Sequence, residues 1–237
     1  MLTIAKNWLI ILSVNKINYL FFEKWKDAEM KLQIALDTCS YGEVFHIVDT
    51  LRTEVDIVEI GTPLLLKYGL ELVSEVKRVY PELEVLSDGK TMDAGKYEAD
   101  LCFDSGADIA TVLAVSQDST IKGVVESARN HGRKVLADMI NSASPRKRTE
   151  ELLAMGVDFI CAHNATDVLD MDKTIVVLNE ISSVVPRDRL VIAGGINPST
   201  AKYISGYHPY TIIVGNAIVN AADMAQMARD IKSEFRV

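Results

Sequence analysis

The sequence predicts a (β/α)8 barrel of the α/β class, and three observations predict it. From Met30 onward, eight short apolar runs are each followed by a helix-like stretch. No two-residue hairpin signal separates any of them. Polar side chains recur where the apolar runs end. Strands that alternate with helical patterns pair in parallel, and eight such units in a chain of 237 residues suit one closed barrel. A doubly wound open sheet is the runner-up. The first strand is not followed by G-x-G-x-x-G, which weakens a dinucleotide-binding reading.

Leu32-Gln-Ile-Ala-Leu36 is the first strand; it ends in Asp37, and a helix follows to about Arg52. Val55-Asp-Ile-Val-Glu-Ile60 is the second, ending in Gly61-Thr62-Pro63, and one helix is expected from there to Tyr80, before Pro81. The third strand, 84–88, breaks off into Asp88-Gly-Lys-Thr-Met-Asp93, with a helix over about 93–104. Asp108–Leu113 is the fourth strand, with a helix over about 118–131. Lys134–Ile140 and Val157–Ala162 are the fifth and sixth; helices follow over about 145–155 and 171–184. Leu190–Ala193 runs into Gly194-Gly195, and Pro198 sits at a first-turn position of a short helix. Thr211–Val214 runs into Gly215-Asn216, and a last helix covers about 221–234.

Residues 1–29 do not share this pattern. Trp8–Val14 is apolar but too short to span a bilayer, and no small-x-small cleavage site follows Lys6 and the apolar run. The preferred reading is an upstream extension before a natural start at Met30, outside a single barrel domain over 30–237. A peripheral anchor or docking helix is the alternative. The net charge of −8 leaves no electrostatic footprint for nucleic acid, and no segment calls for a membrane. Cys39, Cys102 and Cys161 lack CxxC spacing and read as reduced, buried thiols of a cytoplasmic protein.

Active sites of barrels sit at the C-terminal strand ends. Those ends carry Asp37, Glu59, Asp88 with Lys90, the segment after Thr111, Asp138, His163, Gly194-Gly195 and Gly215-Asn216. Residues i and i+2 of a strand share a face, so Asp88 and Lys90 should emerge side by side. Asp93 falls where a first-turn carboxylate favours the helix dipole. The plain alternative for these three is a surface ion pair plus a helix acid. Glu59 and Asp88 are hard oxygen ligands that suit Mg2+. Lys90 is the natural partner of an oxyanion. His163, the one histidine at a strand end, suits proton transfer near neutral pH, with a core histidine as the alternative. His46, His131 and His208 fall on helices or loops and read as structural or solvated. Gly195 and Gly215 end the seventh and eighth strands, where barrels bind phosphate through backbone N–H groups; for Gly194-Gly195 a tight turn is the alternative.

The segments Leu32–Asp37, Val55–Pro63, Ser87–Gly95, Gly106–Leu113, Ala162-His163, Val191–Ile196 and Val214–Ile218 carry a family resemblance. From Met30 on, the chain resembles the 3-hexulose-6-phosphate synthase family of the orotidine-monophosphate decarboxylase superfamily, whose D-x-K-x-x-D motif falls on Asp88, Lys90 and Asp93. The resemblance implies a ribulose-phosphate-binding barrel and a Mg2+-dependent aldol reaction of ribulose 5-phosphate with formaldehyde, through an enediolate. It implies phosphate binding at Gly194, Gly195, Gly215 and Asn216. It also implies a homodimer in which Asp93 enters the partner's site. The sister family, 3-keto-L-gulonate-6-phosphate decarboxylase, has glutamate where this chain has Asp138 and arginine where it has Thr166 and Asn216. The departures at Asp138 and Thr166 point away from the decarboxylase, and the one at Asn216 leaves phosphate binding to backbone N–H groups; the decarboxylase stays as the alternative together with a non-catalytic phosphosugar-binding barrel.

Overall fold

The computed structural model describes residues 30–163 and 171–235. In chain order the elements are β1 (Lys31–Leu36), α1 (Tyr41–Leu51), β2 (Ile57–Ile60), α2 (Thr62–Tyr68), α3 (Glu71–Val79), β3 (Glu84–Thr91) and α4 (Gly95–Asp104). There follow β4 (Ile109–Leu113), α5 (Asp118–His131), β5 (Lys134–Asp138), α6 (Pro145–Ala154), β6 (Phe159–His163) and α7 (Met171–Ser182). The last are β7 (Leu190–Ala193), α8 (Pro198–Ile204), β8 (Thr211–Val214), α9 (Asn216–Val219) and α10 (Met224–Ser233). Each strand pairs in parallel with the next, and β1 pairs with β8 in the register Lys31↔Thr211 to Ile34↔Val214. The sheet is therefore a closed eight-stranded barrel.

The apolar runs are nearly continuous because both faces of each strand are covered. Leu32, Ile34 and Leu36 of β1 face the helices, where they pack with Val44, Val48 and Leu51 of α1. Inside the barrel, Ile57, Leu86, Ile109, Leu136, Phe159, Cys161, Val191 and Ala193 form a second core. Tyr210 stacks on Phe159 beneath it, with ring centroids 5.3 Å apart. This plug fills the barrel from below and leaves the upper end for polar side chains.

At the N-terminal face, Asp56, Asp108 and Asp158 each stand one residue before an even-numbered strand. Their carboxylates accept the backbone N–H of Leu32 (2.8 Å), Val85 (2.9 Å) and Val135 (2.9 Å) on the preceding odd strand. The same device, repeated around the barrel, satisfies strand-end donors that would otherwise be orphaned.

Four expectations change. The helix expected from Pro63 to Tyr80 is two helices, because Gly69 takes a left-handed conformation (φ 69°) and closes α2 with its N–H on Leu65 O. The third strand does not stop at Asp88; it continues to Thr91 through an irregularity. A short helix that the sequence did not suggest, α9, precedes the last one, which is the expected single helix α10, and its N-cap Asp223 accepts from Gln226 N–H at 2.9 Å. Asp93 lies outside the helix, which starts at Gly95 after Ala94 at φ 49°. The extension 1–29 lies outside the described residues.

Thr149 on α6 is fully buried, and its hydroxyl has no hydrogen-bond partner among the described residues. A buried hydroxyl without a partner destabilises, and valine has the same shape without it. Thr149→Val is expected to stabilise the protein by about 1 kcal/mol, raising the melting temperature by about 2–4 °C. A lower melting temperature in calorimetry would refute this.

Candidate active site

Closing the barrel brings the polar strand ends onto one mouth. The centre is the kink in β3. Ser87 is level with Ala110 and Thr91 with Val112, so regular pairing with β4 lapses between them. Lys90 takes φ 46°, a left-handed conformation that a lysine seldom adopts. This bend, rather than a plain two-residue alternation, folds the Lys90 ammonium back onto Asp88. The two side chains form an ion pair through Nζ and Oδ2.

Asp88 is almost fully buried and held from both sides. Its Oδ1 accepts from Thr111 Oγ1 at 2.9 Å, and its Oδ2 lies 3.1 Å from Thr62 Oγ1. Thr62 also donates to the Asp88 carbonyl at 2.7 Å. Lys90 Nζ reaches toward Asp138 as well, 3.9 Å from Oδ2. Asp138 in turn lies 2.9 Å from His163 Nδ1, while its other oxygen accepts the Ile140 N–H at 2.9 Å. One polar chain thus runs from Thr62 through Asp88, Lys90 and Asp138 to His163.

Glu59, inward on β2, receives a hydrogen bond from Gln33 Nε2 at 2.5 Å, and both side chains are buried. Burial, then the neighbouring Asp88 charge, pushes the Glu59 carboxyl well above its ordinary value. Burial and Asp88 also push Asp37 up. Burial works to lower Lys90, but the Asp88, Asp138 and Glu59 carboxylates outweigh it and leave the ammonium held above its ordinary value. Asp37 has its place because residue 61 is glycine: a Cβ there would stand 2.1 Å from Asp37 Oδ1 and 2.7 Å from Leu36 O.

The loops after β7 and β8 complete the mouth. Gly194 and Gly195 both have positive φ (96° and 68°), which L side chains rarely adopt, so the pair is a tight turn in any case. The Gly195 carbonyl is fixed by Asn197 Nδ2 (3.2 Å) and Thr200 Oγ1 (3.0 Å), and Asn197 caps α8 through Ser199 N–H and Thr200 N–H. Gly215 lies against β1 and Asp37, and Asn216 opens α9. Asp93 is exposed, and its carboxylate accepts the Ala94 N–H at 2.7 Å, so within one chain it turns away from the ring. His46 and His131 lie on α1 and at the end of α5, and His208 in a turn after α8, away from this mouth. Burial raises all three thiols, which are free, so none is an activated nucleophile. Thr166 lies outside the described residues.

Gln33, Thr62 and Thr111 belong to the site, and motif reading passed over the role of each. Counting back by twos from Asp37 reaches Gln33, and counting along β4 from inward Ile109 reaches Thr111. That period was the available signal.

Among the described residues, no three His, Cys, Asp or Glu side chains gather into a metal cage. Two adjacent buried carboxylates, Glu59 and Asp88, are the available donors. That set fits Mg2+, which takes one or two carboxylates and keeps several waters. The raised Glu59 carboxyl supports the fit, since a cation there would offset the charge that burial and Asp88 penalise.

The pattern of the orotidine 5'-phosphate decarboxylase / HUMPS family matches residues 30–231. A 3-hexulose-6-phosphate synthase of Bacillus subtilis is 41% identical over 204 residues, which cover 86% of this chain and 97% of that protein. The crystal structure of 3-hexulose-6-phosphate synthase from Salmonella typhimurium matches with a TM-score of 0.81 at 37% identity, covering 87% of this chain and 98% of that one. The crystal structure of 3-keto-L-gulonate-6-phosphate decarboxylase from Vibrio cholerae matches with a TM-score of 0.78 at 23% identity, over 87% of this chain and 97% of that one. This last likeness is one of fold.

Proposed function

The chain belongs to the orotidine 5'-phosphate decarboxylase / HUMPS family, and within that family we propose that it is an aldehyde-lyase. The reaction is the aldol condensation of D-ribulose 5-phosphate with formaldehyde to 3-hexulose 6-phosphate, and its reverse. The observation that carries this reading is the pair of buried Asp88 and half-buried Lys90, joined through Asp138 to His163. It sets a fixed cation beside a base and an orienting carboxylate. The synthase name of relatives 37–41% identical along nearly their whole length supports it.

The sugar phosphate lies with its phosphate toward the backbone N–H groups at Gly194-Gly195 and at Gly215-Asn216, where α9 begins. His163 removes a proton from C1, and the electron pair moves onto the C2 oxygen. The Lys90 ammonium faces the enediolate that forms. C1 then attacks the carbon of formaldehyde, a C–C bond forms, and the aldehyde oxygen takes a proton. Lys90 keeps its charge throughout, since its neighbours hold it protonated. That favours electrostatic stabilisation over a Schiff base. Asp37 lies within electrostatic reach of Asp88, Lys90 and His163 and adds to the anionic wall around the ammonium. When bound at Glu59 and Asp88, Mg2+ would supply Lewis acidity toward the ketone oxygen.

The exposed Asp93, with exposed Met92, Tyr97 and Leu101 beside it, suits a homodimer in which Asp93 completes the partner's site. No helix of the described residues is long and apolar enough to cross a membrane, and the proposed setting is the cytoplasm.

The test is consumption of formaldehyde with ribulose 5-phosphate, with Mg2+ and with chelator. Loss of both substrates only with Mg2+ supports the reading. No consumption sinks it, and CO2 release from 3-keto-L-gulonate 6-phosphate then identifies the decarboxylase.

The Asp138–His163 pair makes a finer prediction. With Nδ1–H donated to Asp138, the His163 lone pair lies on Nε2. In Asp138→Asn, the amide oxygen stays on the Ile140 N–H, so the amide NH2 faces Nδ1 and forces the proton to Nε2. Turnover should fall by about 10²–10⁴-fold with the fold unchanged. A rate near wild type across the pH profile would remove His163 from the role of base.

A further inference from the structure

The bend in β3 needs something to hold it. Asp88, Gly89 and Lys90 pass beside the single residue Thr111, because Ser87 is level with Ala110 and Thr91 with Val112. The Lys90 N–H has therefore lost a regular strand partner. It donates instead to the Thr111 hydroxyl at 2.9 Å. The same hydroxyl donates to Asp88 Oδ1 at 2.9 Å. Thr111 is buried, so both bonds are shielded from water. A single Oγ thus joins the backbone of one member of the ion pair to the carboxylate of the other. It does so where Lys90 takes an unfavourable φ of 46°. Thr62 grips Asp88 alone; Thr111 grips both.

We propose that Thr111 is a positioning residue: its hydroxyl stabilises the β3 bend and so holds the Lys90 ammonium and the Asp88 carboxylate in register for the reaction. The inference about rate rests on the aldol reading of the site; the inference about the bend does not.

Three variants separate the two. Thr111→Val and Thr111→Ala delete the hydroxyl, one keeping the branched shape and one avoiding it; Thr111→Ser keeps the hydroxyl. In the full-length protein, kcat for ribulose 5-phosphate with formaldehyde is expected to fall by about tenfold to a hundredfold in the valine and alanine variants. KM should change far less, and serine should restore kcat to within about threefold of wild type. Amide hydrogen exchange of the peptide spanning residues 88–91 reads the bend without any assay of turnover. It should quicken by about tenfold or more in the valine and alanine variants and stay as in wild type for serine. Unchanged exchange without the hydroxyl overturns the proposal, whatever the activity. A serine variant as impaired as valine also overturns it, because packing of the methyl group would then be the cause. An inactive wild type with the expected exchange pattern sinks the aldol reading and leaves Thr111 as the anchor of the bend.

Discussion

Lys90→Ala is expected to abolish turnover, by about a thousandfold or more, because it removes the one ammonium among the described residues that is placed to meet an oxyanion at the barrel mouth. It should also lower stability at neutral pH. A lysine held above its ordinary pKa of 10.5 stabilises the fold in its charged form. That contribution is complete at neutral pH and is lost as pH rises through the raised folded value. Removing the ammonium also leaves Asp88, Asp138 and Glu59 without their counter-charge. Mixing the inactive Lys90→Ala protein with inactive Asp93→Ala protein tests the shared dimer site. Random pairing gives hybrids with one intact site, and about a quarter of wild-type activity should return. No recovery, with subunit exchange demonstrated, would confine each site to one chain.

Glu59→Gln is expected to be equally inactive but more stable. In the wild type, burial and Asp88 hold the Glu59 carboxyl above its ordinary 4.5. Such a group favours the fold at pH below 4.5, and this is lost as pH rises through the raised folded value. The raised carboxyl is thus a standing penalty on the fold at neutral pH. Glutamine removes the titrating group and keeps a carbonyl oxygen for Gln33 Nε2. Without Mg2+ at pH 7, the gain should be about 1–3 kcal/mol, or about 3–8 °C in melting temperature. It should shrink as the pH is lowered toward 4.5. A variant that melts below wild type at pH 7 would mean that Glu59 is already compensated. The opposite signs for Lys90 and Glu59 separate loss of chemistry from loss of fold.

Most of the barrel is legible in the sequence because its strands are short, apolar and buried on both faces, and the turns carry their own residues. The ring is legible for a related reason: Asp37, Glu59, Asp88, Asp138 and His163 each interrupt an apolar run at its end. Two kinds of feature stay hidden. One is backbone conformation at single residues, such as Gly69 ending α2 and Lys90 bending β3, since each φ is set by tertiary packing rather than local pattern. The other is the neutral support beneath the charges. Gln33, Thr62 and Thr111 read as ordinary strand or loop residues until the neighbouring strands show what their polar atoms reach.

The pairing of β1 with β8 has a consequence for how the molecule comes into being. The first strand leaves the ribosome with one edge unmatched, and its partner β8 is made only after all the other strands. Arg229 and Lys232 of α10, which reach back to Glu54 at the α1–β2 turn, emerge later still. Until then the nascent chain presents open strand edges, a state in which aggregation competes with folding. The polar ring draws on residues from Asp37 to Asn216, so no partial translation product assembles it. Chemistry at the barrel mouth therefore begins only when synthesis of the barrel is complete.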